Sequence, residues 1–385
     1  MKKIAFFLVF CFILTSLFWL RLYSKKGSDT QKQSRVESKN KQKPLLVDKQ
    51  TAPDLETDFE TNEKLDEKRE CVLLPYWIKP DRGEDLSQKE VFYFGIGFDS
   101  AGNILADQGL QRLEETDISV FIKPKIVVRM LDQEVSSKIL SDKNLREKAV
   151  SNLKEFTTLH SGFDGFVLDL EFSPVFYDFL SDEILLFVKK LRGLADEQNL
   201  EFEIILFADN FYRQRPYNVF EISDYVDQVW IMAYDFSKKT GLPGPNFPLE
   251  GKDTYGYDLI TAVSDFQANM KQPYKLGVIF GLFGYEWIVD QENRPLNQAK
   301  ALTTKQISQK YVVNCSNDPN CSLKEDSKSK EKIITINNVK LSDQDNDYVY
   351  RKLLYFDDLQ TVDQKKSVLK KLGVNDFCYW AYGYY

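Results

Sequence analysis

The chain has 385 residues, of which 28% are charged and 14% aromatic, and its formal net charge is −7. This charge argues against a nucleic-acid-binding protein, because no basic patch stands out beyond the N-terminal region. The single histidine, His160, argues against a histidine-rich metal site and against a Ser-His-Asp triad. We expect no histidine-rich metal site and no cofactor.

The N-terminal end has the pattern of a membrane signal. Residues 4–20, IAFFLVFCFILTSLFWL, form an apolar run behind two lysines, which is about the minimum length that spans a bilayer. No small-residue cleavage site follows, so residues 1–23 are predicted to be an uncleaved signal anchor, with a cleaved signal peptide as the alternative. Residues 24–69 are polar and predict a disordered linker. We expect the folded domain outside the cytoplasm, anchored to the membrane or, after cleavage, secreted.

From Cys71 onward, short apolar runs alternate with amphipathic helical stretches. Near-continuous apolar runs are typical of strands that are buried on both faces. Eight such strands predict a (β/α)8 TIM barrel of the α/β class over residues 70–385. A doubly wound open sheet is the alternative, but it would normally carry a glycine-rich phosphate turn after its first strand, and none is present. The runs are residues 71–77, 91–98, 125–131, 165–172, 201–209, 228–236, 275–284 and 376–383.

Two helices and one insertion complete the predicted fold. Residues 181–198 predict a helix with Ser181 or Asp182 as its N-cap, and residues 357–373 predict a helix that Gly373 ends. Residues 288–350 contain no barrel unit and are predicted to be an insertion between the seventh and eighth strands. Within it, KIITINNVKL predicts two strands around an Asn-Asn turn.

The cysteines leave the redox state open. Cys315 and Cys321 bracket the turn-rich sequence SNDPN, and could close a small disulfide in an oxidising compartment. Cys71 and Cys378 fall on the first and last predicted strands, where they could be bonded or could be buried thiols.

A pair of carboxylates interrupts the fourth apolar run, GFDGFVLDLEF. Asp169 and Glu171 lie two residues apart, so both side chains point to the same face of a strand. At the C-terminal end of a barrel strand they would face the active site. Close carboxylates in apolar surroundings raise one another's pKa, and a glutamate kept protonated near neutral pH can act as a general acid. A pair held by salt bridges or backbone amides is the alternative.

Four segments, in order, resemble family 18 glycoside hydrolases, the chitinase family. DGFVLDLE resembles the fourth-strand signature of that family, commonly written DGxDxDxE, and YVDQVWIMAYDF resembles its sixth-strand segment with Met-x-Tyr-Asp. KLGVIFGLFGYEW is similar to the seventh strand. The C-terminal segment with YWAYGYY resembles the end of bacterial members. The resemblance covers roughly residues 71–385.

The resemblance implies a role for each matching residue. Glu171 matches the general acid/base, Asp169 the aspartate that orients the N-acetyl group of the substrate, and Tyr234 the tyrosine that holds its acetamido oxygen. Asp235 matches a neighbour that lines the subsite, and Trp380 the aromatic floor under the sugar. Tyr76, at the end of the first strand, and Met232, in the Met-x-Tyr-Asp segment, are further candidate substrate contacts. The family uses the acetamido group of the substrate as nucleophile, which requires no metal.

The implied function is hydrolysis of β-linked N-acetylglucosamine polymers, either peptidoglycan or chitin-like glycans, by a monomer. Two departures from the family pattern leave an alternative. Val167 stands where an aspartate is usual, and Arg129 and Leu131 stand where the third strand usually carries Ser-x-Gly-Gly. Because the missing carboxylate would tune Asp169 and Glu171, a lectin-like barrel that binds glycans with slow or no turnover is the second hypothesis.

Overall fold

The computed structural model describes residues 69–80, 86, 88–173, 179–340 and 349–385. The chain divides into two units, Met1–Asn62 and Glu63–Tyr385, and all described residues belong to the second. Within the described ranges, no helix combines the length and the apolar character needed to cross a bilayer. The predicted anchor at 1–23 and almost all of the predicted linker at 24–69 lie outside these ranges.

The first seven strands and the last strand close into a parallel barrel, which confirms the predicted TIM barrel. Every neighbouring pair is parallel, in the order β1-β13-β7-β6-β5-β4-β3-β2. Numbered in chain order, the barrel strands are β1 Glu70–Pro75, β2 Glu90–Gly97, β3 Ile122–Met130, β4 Gly165–Leu170, β5 Glu201–Phe207, β6 Gln228–Ala233, β7 Leu276–Gly281 and β13 Asp376–Trp380.

The helices pack around the barrel or within the loops. They are α1 Gln108–Glu114, α2 Gln133–Ser141, α3 Lys143–Leu159, α4 Leu180–Gln198, α5 Val219–Ile222, α6 Lys252–Tyr255, α7 Leu259–Ala268, α8 Thr304–Ile307, α9 Val313–Cys315 and α10 Leu359–Lys371. Short 3₁₀ turns span Ile118–Val120 and Pro273–Lys275, and a π-helical turn spans Ser308–Val312.

The two predicted long helices exist, but the cap predicted for α4 is wrong. Phe179, with a left-handed φ of 74°, takes the N-cap position, while Asp182 lies inside the first turn. There its carboxylate interacts favourably with the helix dipole but does not cap an N–H group. Helix α10 begins with a capping box between Asp358 and Thr361, and Gly373 follows its end with φ 84°, as predicted.

A five-stranded antiparallel sheet lies between barrel strands β7 and β13. Its order is β10-β11-β12-β8-β9, and we call it the insertion sheet. It runs from Phe283 to Phe356, and so is wider than the predicted insertion. The predicted Asn-Asn turn is wrong, because Asn337 and Asn338 lie within one strand where its register shifts. The strands are β8 Phe283–Val289, β9 Lys300–Thr303, β10 Cys321–Glu325, β11 Lys332–Val339 and β12 Tyr350–Phe356.

Both cysteine pairs are disulfides. Cys71 and Cys378 are register partners on β1 and β13, so their bond joins the two strands at which the barrel closes. Cys315 and Cys321 close a short loop in the insertion. Both bonds are typical of an oxidising compartment.

Charged residues fill the N-terminal end of the barrel. Lys125 and Glu203 are fully buried and their Nζ and Oε1 atoms are 2.7 Å apart. Arg69 Nη2 lies 2.8 Å from the same Oε1 atom and 2.5 Å from Glu90 Oε2, while Trp230 Nε1 donates to Glu203 Oε2 at 2.7 Å. Because each buried charge has an opposite partner, this ion cluster is compensated, and the opposite end of the barrel carries the candidate site.

Candidate active site

The carboxylate pair lies at the C-terminal end of β4. Asp169 is 3% exposed, and its Oδ1 atom is buried without a hydrogen-bond partner among the described residues. Glu171 follows the strand and is half-buried, and its N–H donates to the carbonyl of Met130 at 3.2 Å. An unpaired carboxylate oxygen at this depth is costly for a purely structural residue. Asp169 Oδ1 therefore lacks the salt bridge or backbone amide that the structural alternative requires.

Burial sets the protonation of both acids. Burial, and next the nearby Asp235 carboxylate, raise the pKa of Glu171 to about 7, against the opposing charges of Lys238 and Arg215. Burial, and next the Glu171 carboxylate, raise the pKa of Asp169 well above its usual range. Glu171 thus exchanges its proton near neutral pH, which suits a residue that must donate and then accept a proton.

A guanidinium occupies the β3 position opposite Asp169. Arg129 and Asp169 are register partners, and the Arg129 charge lowers the pKa of Asp169 against the effect of burial. Arg129 itself is fixed, because its Nη2 atom donates to Asp107 Oδ2 at 2.7 Å and to the carbonyl of Gly95 at 2.9 Å. Val167, one strand repeat below Asp169, is fully buried in the apolar interior of the barrel. The positive charge beside Asp169 therefore comes from the neighbouring strand β3, while no second carboxylate lies below Asp169 on β4.

Tyr234 and Asp235 come directly after β6. The Tyr234 ring stacks on Trp380 with centroids 6.4 Å apart and contacts Phe283 edge-on at 5.8 Å. Burial, followed by the charges of Asp169 and Glu171, raises the pKa of Tyr234, so its hydroxyl stays protonated and can donate. The Asp235 carboxylate accepts a 2.7 Å hydrogen bond from the hydroxyl of Tyr285. Asp235 also has a left-handed φ of 57°.

Trp380 ends the last barrel strand and packs among other aromatic rings. Its ring contacts Phe94 at 4.8 Å and Trp77 at 6.0 Å, both edge-on, and the Trp380–Ala381 peptide bond is cis. Half of Trp77 is exposed, with a relative accessibility of 49%. The two indole rings therefore form a continuous aromatic surface, which reaches Tyr234 through Trp380.

Tyr76 and Met232, the two further predicted contacts, have different surroundings. The Tyr76 ring lies 4.9 Å from Trp77 and 5.0 Å from the Arg129 guanidinium, and is partly exposed. Met232 is 1% exposed and packs in the barrel interior between Phe207 and Ile279, its register partners. Substrate contact stays a prediction for both residues.

A cluster of basic residues beside Glu171 was not predicted from the sequence. Arg215 is 6% exposed; its Nη1 atom donates to the carbonyl of Phe172 at 2.6 Å and its Nε atom to Asp209 Oδ1 at 2.5 Å. Arg213 pairs with the same aspartate, and Lys238 lies 5.7 Å from the Phe207 ring centroid. No motif marks these residues, because each lies in a loop whose course depends on the tertiary fold.

A comparison with protein-family models decides the family. The model of Glycosyl hydrolases family 18 matches residues 133–384, well over half of the chain. The chain belongs to this family. Family 18 enzymes are glycosidases, so the carboxylate pair, the tyrosine and the tryptophan described above lie in the barrel of a glycosidase.

Solved structures of two chitinases and of a spore cortex-lytic enzyme share the fold. A Group IV chitinase of Ostrinia furnacalis in complex with allosamidin is 17% identical, with a TM-score of 0.64 over 82% of this chain and 92% of that chain. The spore cortex-lytic enzyme SleL of Bacillus cereus is 16% identical, with a TM-score of 0.62 over 82% and 71%. A chitinase of Chromobacterium violaceum is 16% identical, with a TM-score of 0.61 over 82% and 95%. No curated protein sequence matches this chain.

Proposed function

We propose that this family 18 glycosidase cleaves β-linked N-acetylglucosamine glycans, either peptidoglycan or chitin-like polymers, with Glu171 as the general acid/base. The observation that carries the proposal is Glu171 itself. It is a half-buried glutamate whose pKa is raised to about 7, beside Asp169 and Asp235 and at the same end of the barrel as Tyr234 and Trp380.

The reaction needs one proton donor and a nucleophile from the substrate. Glu171 donates its proton to the glycosidic oxygen while the acetamido oxygen of the sugar attacks the anomeric carbon, which breaks the glycosidic bond and forms an oxazolinium ion. Asp169 balances the positive charge on that group, and the Tyr234 hydroxyl donates to the acetamido oxygen. Glu171, now ionised, then removes a proton from the water that opens the ring. The configuration of the sugar is retained.

The proposed location is outside the cytoplasm, with the N-terminal segment as membrane anchor. The two disulfides support this, because cytosolic thiols are normally kept reduced. The names of similar structures, a chitinase and a spore cortex-lytic enzyme, support the choice of glycans to test.

The test is hydrolysis of N-acetylglucosamine oligomers and of purified peptidoglycan by the full chain. We expect Glu171→Gln to lower kcat by roughly 10²–10⁴-fold, because the amide cannot donate a proton to the leaving oxygen and be regenerated. Glu134→Gln, an exposed glutamate on α2, is the matched control and should keep full activity. Equal rates for Glu171→Gln and the wild type would refute the role of Glu171.

A glycan-binding barrel is the second candidate, and the burial of Val167 among apolar side chains favours it. The family aspartate at this position would place another carboxylate below Asp169, and its absence changes the charge of the pair. Glycan binding by the wild type without any product after long incubation would support this candidate, as would the appearance of turnover in Val167→Asp.

A further inference from the structure

The loop after β6 is held by one buried asparagine. Asn246 is 1% exposed, and its Oδ1 atom accepts a 2.9 Å hydrogen bond from the N–H of Asp235. Its carbonyl accepts a second bond, 2.7 Å long, from the N–H of Phe236, and its Nδ2 atom donates to the carbonyl of Phe283 at 3.2 Å. An aspartate tolerates a left-handed φ better than most residues do, but such a conformation still depends on support from its surroundings. These bonds therefore help to stabilise Asp235 in it.

Asn246 is in turn held from the insertion sheet. Glu331, directly before β11, is fully buried, and its Oε2 atom accepts from the N–H of Asn246 at 2.6 Å. Its Oε1 atom accepts from the N–H of Phe247 at 2.7 Å. Lys365 on α10 donates to the same Oε1 atom at 3.0 Å and to the carbonyl of Phe247 at 2.9 Å. Both oxygens of Glu331 are thus bonded to the loop that carries Asn246.

We call the contact of Glu331 and Lys365 with the Asn246 loop the joint. It consists of charged groups, although apolar contacts would stabilise the fold at least as well. Lys365 and Asp357 are fully buried and their Nζ and Oδ2 atoms are 2.7 Å apart, which leaves two carboxylates around one ammonium group. Replacing buried ion pairs by apolar side chains is often neutral or stabilising. A carboxylate that accepts two N–H bonds, however, fixes the position of the backbone more narrowly than apolar contacts do. The arrangement favours a role in placing the loop.

We propose that Asn246 is a positioning residue through which Glu331 of the insertion sheet holds the Asp235 carboxylate beside Glu171. The insertion is then part of the catalytic apparatus, although no residue of this joint touches the reacting atoms. The inference rests on the proposed function, because it assigns a role relative to the proposed acid Glu171.

The electrostatics of Glu171 give this proposal a measurable consequence. After burial, the Asp235 carboxylate is the largest influence that raises the pKa of Glu171. If Asn246 no longer holds Asp235, that carboxylate moves and the pKa of Glu171 falls from about 7 toward its ordinary value. The other titratable and charged groups around this pair lie on several elements: Asp169 on β4, Tyr234 after β6, Lys238 and Lys239 in the same loop, Asp209 and Arg215 after β5, Tyr285 on β8, which donates to the Asp235 carboxylate, and Arg129 on β3.

The experiment measures the pKa of Glu171 by NMR in the full chain labelled with ¹³C at the glutamate carboxyl carbon, with Glu171→Gln to assign the signal. In Asn246→Ala we expect a lower pKa of Glu171 and a kcat reduced by about tenfold or more. KM should change little, because the substitution displaces a group of the catalytic site and removes no substrate contact. Thr361→Val is the matched control. It removes the 2.8 Å bond to Asp357 in the same buried cluster, together with the Thr361 half of the α10 capping box, and breaks no bond of Asn246.

A purely structural role predicts a different result. An unchanged Glu171 pKa in Asn246→Ala, or the same shift in Thr361→Val, would overturn the inference. Glu331→Gln is a second variant, because its amide cannot accept both N–H groups, and it should shift the pKa of Glu171 in the same direction. The double variant should then show less than the sum of the two effects; full additivity contradicts the proposed chain of contacts. The NMR measurement needs no turnover, so an inactive wild type would refute the proposed function and leave this inference decidable.

Discussion

The hydroxyl of Tyr285 donates a 2.7 Å hydrogen bond to Asp235 Oδ1, and so joins the insertion sheet to the end of a barrel strand. Burial raises the pKa of Asp235, and this hydrogen bond lowers it by stabilising the ionised form. Tyr285 therefore helps to keep a negative charge beside Glu171. The acidity of the proposed catalytic glutamate depends on a residue 50 positions away from Asp235 in the chain.

The first prediction concerns the pH dependence of hydrolysis. Because Glu171 must carry a proton and its pKa is about 7, kcat/KM should fall as the pH rises through 7. Asp235→Asn removes a charge that raises this pKa and should move the alkaline limb to lower pH by roughly one unit. Lys238→Met removes a charge that lowers it and should move the limb to higher pH. Identical limbs in both variants would contradict this assignment.

The second prediction concerns Val167→Asp. An ionised carboxylate in the apolar interior should lower the free energy of unfolding by about 3 kcal/mol or more at pH 8. The loss should be smaller at pH 5, because burial raises the pKa of the new aspartate, so folding favours its protonated form and the penalty grows as the pH rises. Urea unfolding at the two pH values measures the difference. Val167→Ala serves as control, and its loss, taken relative to the wild type, should be the same at both pH values.

The third prediction concerns the ion cluster at the N-terminal end of the barrel. Glu203→Gln leaves Lys125 and Arg69 with less compensation in a buried site and should cost about 3–5 kcal/mol of unfolding free energy. Glu197→Gln breaks a surface pair with Lys154 and should cost about 0–1 kcal/mol. Urea denaturation of both variants gives the comparison, and similar losses would show that the cluster is solvated.

The fourth prediction compares the two disulfides. They close loops with sequence separations of 307 and 6 residues. In the loop-entropy model, replacing Cys71 and Cys378 by alanine should cost about 6 kcal/mol, and replacing Cys315 and Cys321 about 2 kcal/mol. Guanidinium unfolding of the two double variants tests this order. An equal or reversed order would contradict the loop-entropy explanation of the two disulfides.

The sequence was sufficient to predict the barrel because strands buried on both faces appear as continuous apolar runs. It also identified Asp169 and Glu171, since two carboxylates in such a run are conspicuous. It did not identify Asn246 or Glu331, because their hydrogen bond spans 85 residues and neither residue belongs to a recognisable pattern. The Asn-Asn pair in β11 resembled a turn, and Asn338 does have a left-handed φ of 58°, but the strand continues through the pair because Ile336 and Val339 on either side of it remain paired with β12. In each of these cases tertiary contacts decided a structure that local preferences left open.

The way the chain enters the barrel also determines how the domain withstands tension. The N–H of Arg69 donates to Asp376 at 3.2 Å, and two residues later Cys71 is bonded covalently to Cys378. A pull on the chain before Arg69 therefore reaches the last barrel strand through a covalent bond, and β1 cannot be peeled from the sheet one hydrogen bond at a time. If the N-terminal segment anchors the domain, as proposed above, the junction between β1 and β13 is the place where mechanical strength is most useful.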